Sequence, residues 1–393
     1  MKAELPKREP EMLAFWETLS LSQRLQEARA GKPSFILHDG PPYANGDIHI
    51  GHALNKILKD LIVRYKTMRG FDAPYVPGWD CHGMPIEHQL FKELQLTKHE
   101  IAQTAFREQA RTYAQRYVGI QREQFKRLGV LGDWDRPYLT MEKDYELTVL
   151  RVFRELVQAG YIYRGKKPVY WCASCETALA EAEVEYADRQ DMSIYVKFPV
   201  VEPPASLAPG LAKAFHDLRR LAVAVWTTTP WTLPANVALC FHPNARYVVL
   251  RPSSADHELI VAEALVPSIA TALHANAPTI VGIGTGSEFR GMRCRVPFGD
   301  RRSVAVTDES VSVAEGTGIV HIAPGHGHED YLIGQREKLE VLSPVDYQGK
   351  FTKDVPSFAN QSVFDANPKI VADLKQRGLL LAEQPITHSY PHC

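Results

Sequence analysis

FILHDGPPYANGDIHIGH (35–52) is the stretch that decides the fold. It begins in an apolar run, PSFILHDG (33–40), which predicts a buried strand, and it continues through a Gly-Pro-Pro loop into a helix. The apolar residues of that helix recur at helical spacing: Leu54, Ile57, Leu58, Leu61, Ile62 and Tyr65. Strand, loop and helix in this order predict the opening of a doubly wound α/β sheet, where ligands bind at the carboxyl ends of strands.

Length and composition exclude several classes of protein. The chain has 393 residues, with 45 Lys plus Arg against 46 Asp plus Glu, and 45% of its residues are hydrophobic. The balanced charge argues against non-specific coating of nucleic acid, and no apolar run is long enough to span a bilayer. The opening MKAELPKREPEMLAFWE has neither an apolar signal core nor an Arg-rich transit pattern. We therefore expect a folded, cytoplasmic protein of two or three domains.

Two different residue patterns, one helical and one typical of strands, follow each other along the chain. Helical patterns cover about 84–95, 99–128 and 143–159 in the first half. From about 190 to 325 the pattern changes to short β-branched and aromatic runs separated by turns, which predicts a second, mainly β domain with a barrel-like sheet.

Two histidines at the predicted helix start are candidates for anion binding. His49 and His52 lie on one side of the first turn, where free N–H groups and the helix dipole attract phosphates, and Gly51 between them allows close approach. Helix caps or surface residues are the alternative interpretation. Asp80 follows Pro77-Gly78 and is either a ligand-binding carboxylate or a turn cap.

Three further segments carry chemistry with open alternatives. Residues 227–229 are three consecutive threonines, which either bind a ligand or only reflect β propensity. His326-x-His328 is a candidate metal pair on a Gly-rich loop. Cys172-x-x-Cys175 offers two zinc thiolates, with a redox pair as the rival interpretation. Basic residues at Arg107, Arg111, Arg116, Arg122, Lys126 and Arg127 favour a solvated helix face over a contact with nucleic-acid phosphates.

The motifs His49-Ile50-Gly51-His52 and Gly78-Trp79-Asp80-Cys81-His82-Gly83 resemble the class I aminoacyl-tRNA synthetases, specifically the bacterial isoleucyl branch. The resemblance covers the whole chain but less than half of the family's usual length. It implies the first half of a Rossmann-like catalytic domain with an inserted editing domain. The domain limits it implies are 1–186 for the catalytic portion with its zinc knuckle, 187–381 for the editing domain, and 382–393 for the return to the catalytic fold.

The resemblance also implies roles in amino-acid activation. His49 and His52 would stabilise charge on the α-phosphate of ATP, which binds with Mg²⁺. Asp80 would hold the ammonium of isoleucine, and Gly40 and Pro41 would line its pocket. Trp79 and His82 are expected to be pocket walls or packing residues. The implied partners are isoleucine, ATP and tRNA-Ile, and the implied oligomeric state is a monomer with no membrane contact.

Hydrolytic editing and a zinc site are implied in the same way. Asp330 would bind the ammonium of valine on mischarged tRNA, while a second group would hold the terminal adenosine and exclude isoleucine: Thr227, Thr228, Thr229, Asn236 and His321. The zinc thiolates would be Cys172, Cys175 and Cys393, with His388 or His392 as substitutes for a missing ligand. Because a second C-x-x-C is not present, we expect a weakened or incomplete zinc site.

The sequence departs from the family in one large respect. The Lys-Met-Ser-Lys-Ser loop and the anticodon-binding domain are not found in these 393 residues, so we expect weak or no aminoacylation by them alone and expect editing to survive. The alternatives are a valyl-tRNA synthetase relative, a stand-alone editing hydrolase acting in trans, and a fragment that only binds tRNA acceptor ends.

Overall fold

The computed structural model describes residues 4–252, 257–275 and 277–393. They form two compact units, the first ending at Arg164 and the second beginning at Gly165. These bounds describe packing along the chain, and the functional limits expected at residues 186 and 381 stay a prediction.

The first unit is mostly helical. The helices 84–94, 103–127 and 143–158 confirm the three predicted patterns within a few residues. Its helices are α1 (Leu5–Thr18), α2 (Leu21–Arg29), α3 (Ile50–Met68), α4 (Met84–Leu94), α5 (Gln103–Arg127) and α6 (Lys143–Gln158).

Strands in the first unit are short. β1 (Gly78–Trp79) pairs in parallel with β2 (Tyr138–Leu139). The strand expected over 33–40 is not regular, since it touches the neighbouring segment only through a parallel bridge between Ser34 and Asp72. Near the end of this segment the carboxylate of Asp39 accepts the N–H of Gly78 at 3.0 Å, so a side chain and not a backbone carbonyl makes this contact.

The core of the first unit is built around α5. This helix buries one face at helical spacing: Phe106, Tyr113, Ala114, Val118, Gln121 and Phe125. They pack with Trp79 and Trp134, and the ring centroids of Phe125 and Trp134 are 6.2 Å apart. The α5 core thus fixes the segment that follows β1, where Asp80 lies.

The apolar faces of α3 and α6 point away from this core. The residues of α3 that lie against the rest of the unit are Lys56, Asp60 and Val63, whereas Leu54 is 60% exposed. α6 buries none of its residues. Helical periodicity therefore located both helices correctly, but the apolar face of α3 is not the face that the first unit buries.

The second unit is a large mixed sheet, as the β texture predicted. Seven predicted runs form strands, and five strands that the sequence pattern missed are added: two short strands on either side of residue 175, and one each near residues 280, 294 and 386. The strands are β3 (Trp171–Cys172), β4 (Thr177–Ala178), β5 (Glu185–Glu202), β6 (Leu221–Thr227), β7 (Ala238–Phe241), β8 (Arg246–Arg251), β9 (Glu258–Ala262), β10 (Thr279–Thr285), β11 (Arg293–Arg295), β12 (Arg302–Thr307), β13 (Ile319–Ile322) and β14 (Leu380–His392).

The sheet runs β10-β8-β9-β6-β5-β11-β12-β7-β13, with β14 antiparallel to β5. The pairs β6–β9 and β7–β12 are parallel, and the other neighbours are antiparallel. β6 reads LAVAVWT and is buried almost throughout, as expected of a central strand covered on both faces.

Three helices pack with the sheet of the second unit. They are α7 (Val266–Ala272), α8 (His328–Arg336) and α9 (Val363–Gln376). α8 begins directly after β13 and a short Gly-rich loop, so the end of β13 and the first turn of α8 lie side by side. Among the described residues, no helix is long and apolar enough to cross a membrane.

Candidate functional sites

His49 and His52 form the cap of α3. Nδ1 of His49 accepts the N–H of Gly51 at 3.1 Å, and Nδ1 of His52 accepts the N–H of His49 at 3.3 Å. Their ring centroids are 3.9 Å apart. Burial, together with the nearby charges of His49 and Lys56, lowers the pKa of His52 and favours its neutral form. Because both caps use Nδ1, the two Nε2 atoms take no part in them.

Gly51 is required by this cap. A Cβ at residue 51 would lie 2.9 Å from Cε1 and 3.0 Å from Nδ1 of His49, closer than real Cβ contacts allow. A side chain at this position would displace the His49 ring, so the glycine keeps both imidazoles at the helix start.

Two glutamines of α5, which sequence reasoning missed, hold the loop before α3. The buried Gln121 donates to the carbonyls of Tyr43 and Gly46 at 3.0 and 2.7 Å and accepts the indole N–H of Trp79 at 2.9 Å. Gln124 accepts the N–H of Ile48 at 2.9 Å. No sequence motif marks these amides, because their partners lie more than 40 residues away.

Asp80 lies beside the Gly-Pro-Pro loop. Its backbone N–H donates to Pro42 at 2.9 Å, and its carbonyl accepts the N–H of Ala44 at 3.1 Å. Oδ1 of Asp80 accepts the backbone N–H of His82 at 3.3 Å, as in a turn cap. The structure therefore brings Asp80 next to the loop that carries Gly40 and Pro41, and a capping contact accompanies that placement.

Trp79 is fully buried, which confirms its expected packing role. The exposed His82 places Nε2 3.2 Å from the carbonyl oxygen of Thr140. Three of the six basic residues of α5 are paired with acids: Arg116 with Glu93 at 2.7 Å, Arg127 with Glu9 at 3.0 Å and Lys126 with Glu17 at 3.7 Å. These exposed pairs support the solvated-face interpretation.

A buried cluster of ion pairs anchors the start of the Gly-Pro-Pro loop, and sequence reasoning did not predict it. Asp39 is 1% exposed and pairs with Lys56 and, at 2.7 Å, with Lys59. Burial alone would raise the pKa of Asp39, but the two ammonium groups and the N–H of Gly78 outweigh it and lower that pKa. The cluster fixes the residue before Gly40 and joins it to α3.

The second unit contains a cavity of about 300 Å³ at the ends of β6 and β13. Five of the six residues predicted for editing line it: Thr227, Thr228, Thr229, His321 and Asp330. Asn236 does not line the cavity; it is fully buried, and its amide donates to the carbonyl of Ala238 at 3.0 Å. Further lining residues are Trp226, Thr232 and Glu315, which sequence reasoning did not single out, and His326, which it named only as half of a candidate metal pair.

Hydroxyls and neutral imidazoles dominate one wall of this cavity. Nε2 of His321 is 2.9 Å from the Oγ1 of Thr232, which in turn donates to the carbonyl of Thr229 at 2.9 Å. Burial, with a smaller contribution from His326, lowers the pKa of His321 to about 4. Burial likewise lowers the pKa of His326 to about 4. Both rings are therefore uncharged near neutral pH.

Asp330 supplies the acidic wall. Oδ2 accepts the N–H of Ala323 at 2.7 Å, which joins the first turn of α8 to the end of β13. Burial raises the pKa of Asp330 despite this bond, with a further contribution from Glu329. Asp330 is a half-buried carboxylate in the same cavity as the neutral rings of His321 and His326, and a cation bound there would relieve the cost of its ionisation.

The Gly-rich approach to β13 is set by close packing. Gly318 has φ of +70°, and a Cβ there would lie 2.4 Å from the Cβ of Ala262. Only glycine fits both the conformation and the space. The Gly316-Thr317-Gly318 segment therefore packs closely against Ala262 and lines the cavity.

Three cysteines lie together in the second unit. Cys172 and Cys175 belong to the β3–β4 hairpin, and pairing of β14 with β5 brings Cys393 beside them. The three Sγ atoms lie within 4.8 Å of one another, and those of Cys175 and Cys393 are 4.0 Å apart. His388 does not join them, because its Nε2 is 2.9 Å from Oδ2 of Asp191.

This cluster fits three of the four ligands of a tetrahedral zinc site. In the part of the chain that the structure describes, it is the one such group of three or more His, Cys, Asp or Glu side chains, and His326 and His328 do not form another. N–H groups of the hairpin and the neighbouring thiols outweigh burial and lower the pKa of Cys172, whereas burial and the neighbouring Cys172 raise the pKa of Cys175 to about 12, so the three thiols together favour a thiolate at Cys172 alone.

Comparison with models of protein families identifies the family of the chain. The model of the family described as tRNA synthetases class I (I, L, M and V) matches residues 11–371. The chain belongs to this family. The predicted resemblance and the class I catalytic fold are thereby confirmed.

Curated relatives agree with the family. Isoleucine–tRNA ligases from Moorella thermoacetica, Desulfitobacterium hafniense and Kosmotoga olearia are each 51% identical to the chain over 393 residues. In each case the match covers 100% of this chain and 41% of the relative. The chain therefore spans about two fifths of the length of these relatives and corresponds to their N-terminal portion.

Two solved structures show a distant likeness. The crystal structure of GlLeuRS-CP1 matches with a TM-score of 0.41 and 16% identity, covering 49% of this chain and 99% of that one. The ternary complex of Agrobacterium radiobacter K84 agnB2 LeuRS-tRNA-LeuAMS matches with a TM-score of 0.37 and 16% identity, covering 99% of this chain and 47% of that one.

Proposed function

We propose that the chain carries the first part of the activation site and the editing site of an isoleucine–tRNA ligase. The ligase forms isoleucyl-adenylate from isoleucine and ATP with Mg²⁺ and transfers isoleucine to tRNA-Ile. The editing site hydrolyses Val-tRNA-Ile. The observation that carries the editing proposal is the meeting of five predicted residues in one cavity of the second unit.

In the activation site, His49 and His52 would meet the phosphates of ATP. Their Nδ1 atoms accept N–H groups of the helix start, so Nε2 of each ring is the nitrogen left to donate to a phosphate. The ammonium of isoleucine would pair with Asp80, beside the backbone of Gly40 and Pro41. Gln121 would act as a positioning residue, because it fixes the loop between these two groups.

The need for editing follows from the size of the substrates. Valine lacks one methylene of isoleucine, and one methylene in an apolar pocket discriminates by only about 1–3 kcal/mol, a general figure for which the isoleucyl enzyme itself is the standard example. A second site that admits valine and excludes isoleucine must remove the mischarged product.

The editing cavity offers the groups that this hydrolysis needs. Asp330 would hold the ammonium of valine, because ion pairing offsets the burial that raises its pKa. The hydroxyls of 227–229 would bind the terminal adenosine. His321 is neutral and joined to Thr232, so it would act by hydrogen bonding to substrate or to the attacking water, without carrying charge.

Zinc, where it binds, would play a structural role in the second unit. Cys172, Cys175 and Cys393 would be its ligands, and it would join the β3–β4 hairpin to the end of β14. A cytoplasmic, monomeric state also belongs to this proposal.

Two assays on the purified chain distinguish the proposed function from its alternatives. Isoleucine-dependent exchange between ATP and pyrophosphate reports activation, and release of valine from Val-tRNA-Ile reports editing. We expect editing and weak exchange, since the Lys-Met-Ser-Lys-Ser signature is not found in these residues. Editing with no exchange at all would favour the trans-acting hydrolase, and neither activity would favour a fragment that only binds tRNA.

The amino acid that supports exchange identifies the branch of the family. A valyl relative would exchange pyrophosphate with valine in preference to isoleucine. Substitution His52→Ala should remove the exchange, and His88→Ala, which changes an exposed histidine of α4, is the matched control. Equal exchange in both variants would contradict the role given to His52.

A further inference from the structure

A second cavity lies in the first unit, against α2 and the buried side of α3. We call it the α2 cavity; its volume is about 200 Å³, and it includes none of the residues assigned above to activation or editing. This volume is below the range of about 300–1,000 Å³ typical of drug-sized ligands, so it suits a smaller molecule. Its walls are largely aliphatic: Leu21, Leu25, Val63, Met68, Ala73 and Leu131.

Two opposite charges line the α2 cavity without a protein partner. The Nε of Arg29 is buried and has no hydrogen-bond partner. In the ranges that the structure describes, neither Arg29 nor the carboxylate of Asp72 forms an ion pair or a side-chain hydrogen bond. Arg64, which also lines the cavity, differs because it pairs with Asp60 and donates to the carbonyl of Gly129.

An unpaired guanidinium N–H in an apolar setting is costly, because it has lost water and gained nothing in return. Asp72 is held in place independently of any ligand. Its N–H donates to the carbonyl of Pro33 at 3.0 Å, and its own carbonyl accepts the N–H of Phe35 at 2.8 Å. The α2 cavity thus combines a carboxylate on a fixed backbone, a guanidinium with one buried N–H unsatisfied, and an aliphatic wall.

We propose that the α2 cavity binds a small aliphatic zwitterion, that is, a free apolar α-amino acid, at a site distinct from the activation site. The carboxylate of the ligand would pair with Arg29, its ammonium with Asp72, and its side chain would pack on the aliphatic wall. A simple aliphatic acid would meet the charge of Asp72, and a simple amine would meet that of Arg29. Only a molecule with both charges satisfies both residues.

Calorimetric titration of the full chain with L-leucine tests this proposal. The Asp80→Asn variant serves as the background, since it removes the ammonium contact predicted for the activation site. We expect saturable binding of one L-leucine, weakened about tenfold or more by Arg29→Gln and by Asp72→Asn, because each removes a charge-assisted bond. The matched control is Arg24→Gln on the exposed side of α2, which should bind as the background does.

Two further probes separate a zwitterion site from a merely apolar cavity. 4-Methylpentanoate and 3-methylbutylamine each keep the aliphatic body and one charge, and we expect both to bind at least about tenfold more weakly than L-leucine. Ser22→Leu, which fills the cavity from α2 and leaves both charges, should abolish binding. Unchanged affinity in Arg29→Gln or Ser22→Leu, equal binding of the single-charge probes, or no binding of L-leucine would overturn the proposal.

Discussion

His321 shows at the scale of one residue what burial does to a functional group. Its ring is 8% exposed, and Nδ1 has no hydrogen-bond partner. The sequence located His321 through its resemblance to a family motif. The hydrogen bond of the ring depends on Thr232, and its lowered pKa depends on burial and on His326, neither of which a local pattern shows. The identity of the residue was predictable, whereas its protonation required the structure.

Acid sensitivity follows from the pKa of His321. The value of about 4 in the fold lies below the ordinary value of 6.5, so between these two pH values the unfolded chain binds more protons and stability falls as pH falls. Protonation of His321 alone should lower the free energy of unfolding by about 3 kcal/mol between pH 7 and pH 4. Denaturant unfolding of the His321→Gln variant between pH 7 and pH 4 should show a correspondingly smaller loss.

The exposed His216 in the same unit provides the control, and His216→Gln should retain the full acid sensitivity. An identical decline in the His321→Gln variant and the unsubstituted chain would show that His321 takes up its proton without cost to the fold.

At the scale of elements, local pattern and long-range contact contributed different information. Helical spacing located α3 to α6, and β-branched runs located most strands of the second unit. The segment 33–40 is not a regular strand: it bridges Asp72 at Ser34 and contacts Gly78 through the side chain of Asp39. The buried side of α3 carries Lys56 because Asp39 lies opposite it. Neither contact leaves a periodic signal in the sequence.

Substitution of Gln121 tests how α5 supports the loop before α3. Gln121→Ala would leave the indole N–H of Trp79 and two loop carbonyls without their partner, and each buried unsatisfied group costs about 1–3 kcal/mol. We expect the first unit to lose about 3 kcal/mol of stability and amides 43–52 to exchange hydrogen faster. Hydrogen-exchange mass spectrometry measures the second effect directly.

The exposed Gln115 on the same helix is the matched position. Gln115→Ala should leave exchange over 43–52 unchanged. Equal protection of that loop in Gln121→Ala would mean that other contacts hold it and that Gln121 has no positioning role.

At the scale of the whole molecule, the functional groups lie in two units of different architecture. The functional limit implied at residue 186 stays a prediction, but within each unit candidate residues meet: Asp80 with the loop of Gly40 and Pro41, and five residues predicted for editing in one cavity. The exception is Asn236, which bonds to the backbone of β7. The pairing of β14 with β5 and the resulting approach of Cys393 to Cys172 link residues too distant for any local pattern to show.

Zinc binding tests that long-range approach. We expect the chain to bind zinc weakly and to lose it on dialysis against a chelator, because three thiolates supply three of the usual four ligands. Cys172→Ser should abolish the residual binding, and Cys294→Ala, at a buried cysteine outside the cluster, should not. Stoichiometric zinc that survives the chelator, measured by elemental analysis, would refute the weakened site.

The hydrolysis of Val-tRNA-Ile under single-turnover conditions tests whether the cavity at the ends of β6 and β13 is an editing site. The unsubstituted chain should release valine from Val-tRNA-Ile and leave Ile-tRNA-Ile intact. Asp330→Ala should slow the release about 100-fold or more, because the ammonium loses the group that positions it. Glu329→Ala, at the exposed neighbouring acid, should not slow it. Equal rates in Asp330→Ala and the unsubstituted chain, or equal hydrolysis of the two aminoacyl-tRNAs, would contradict the account.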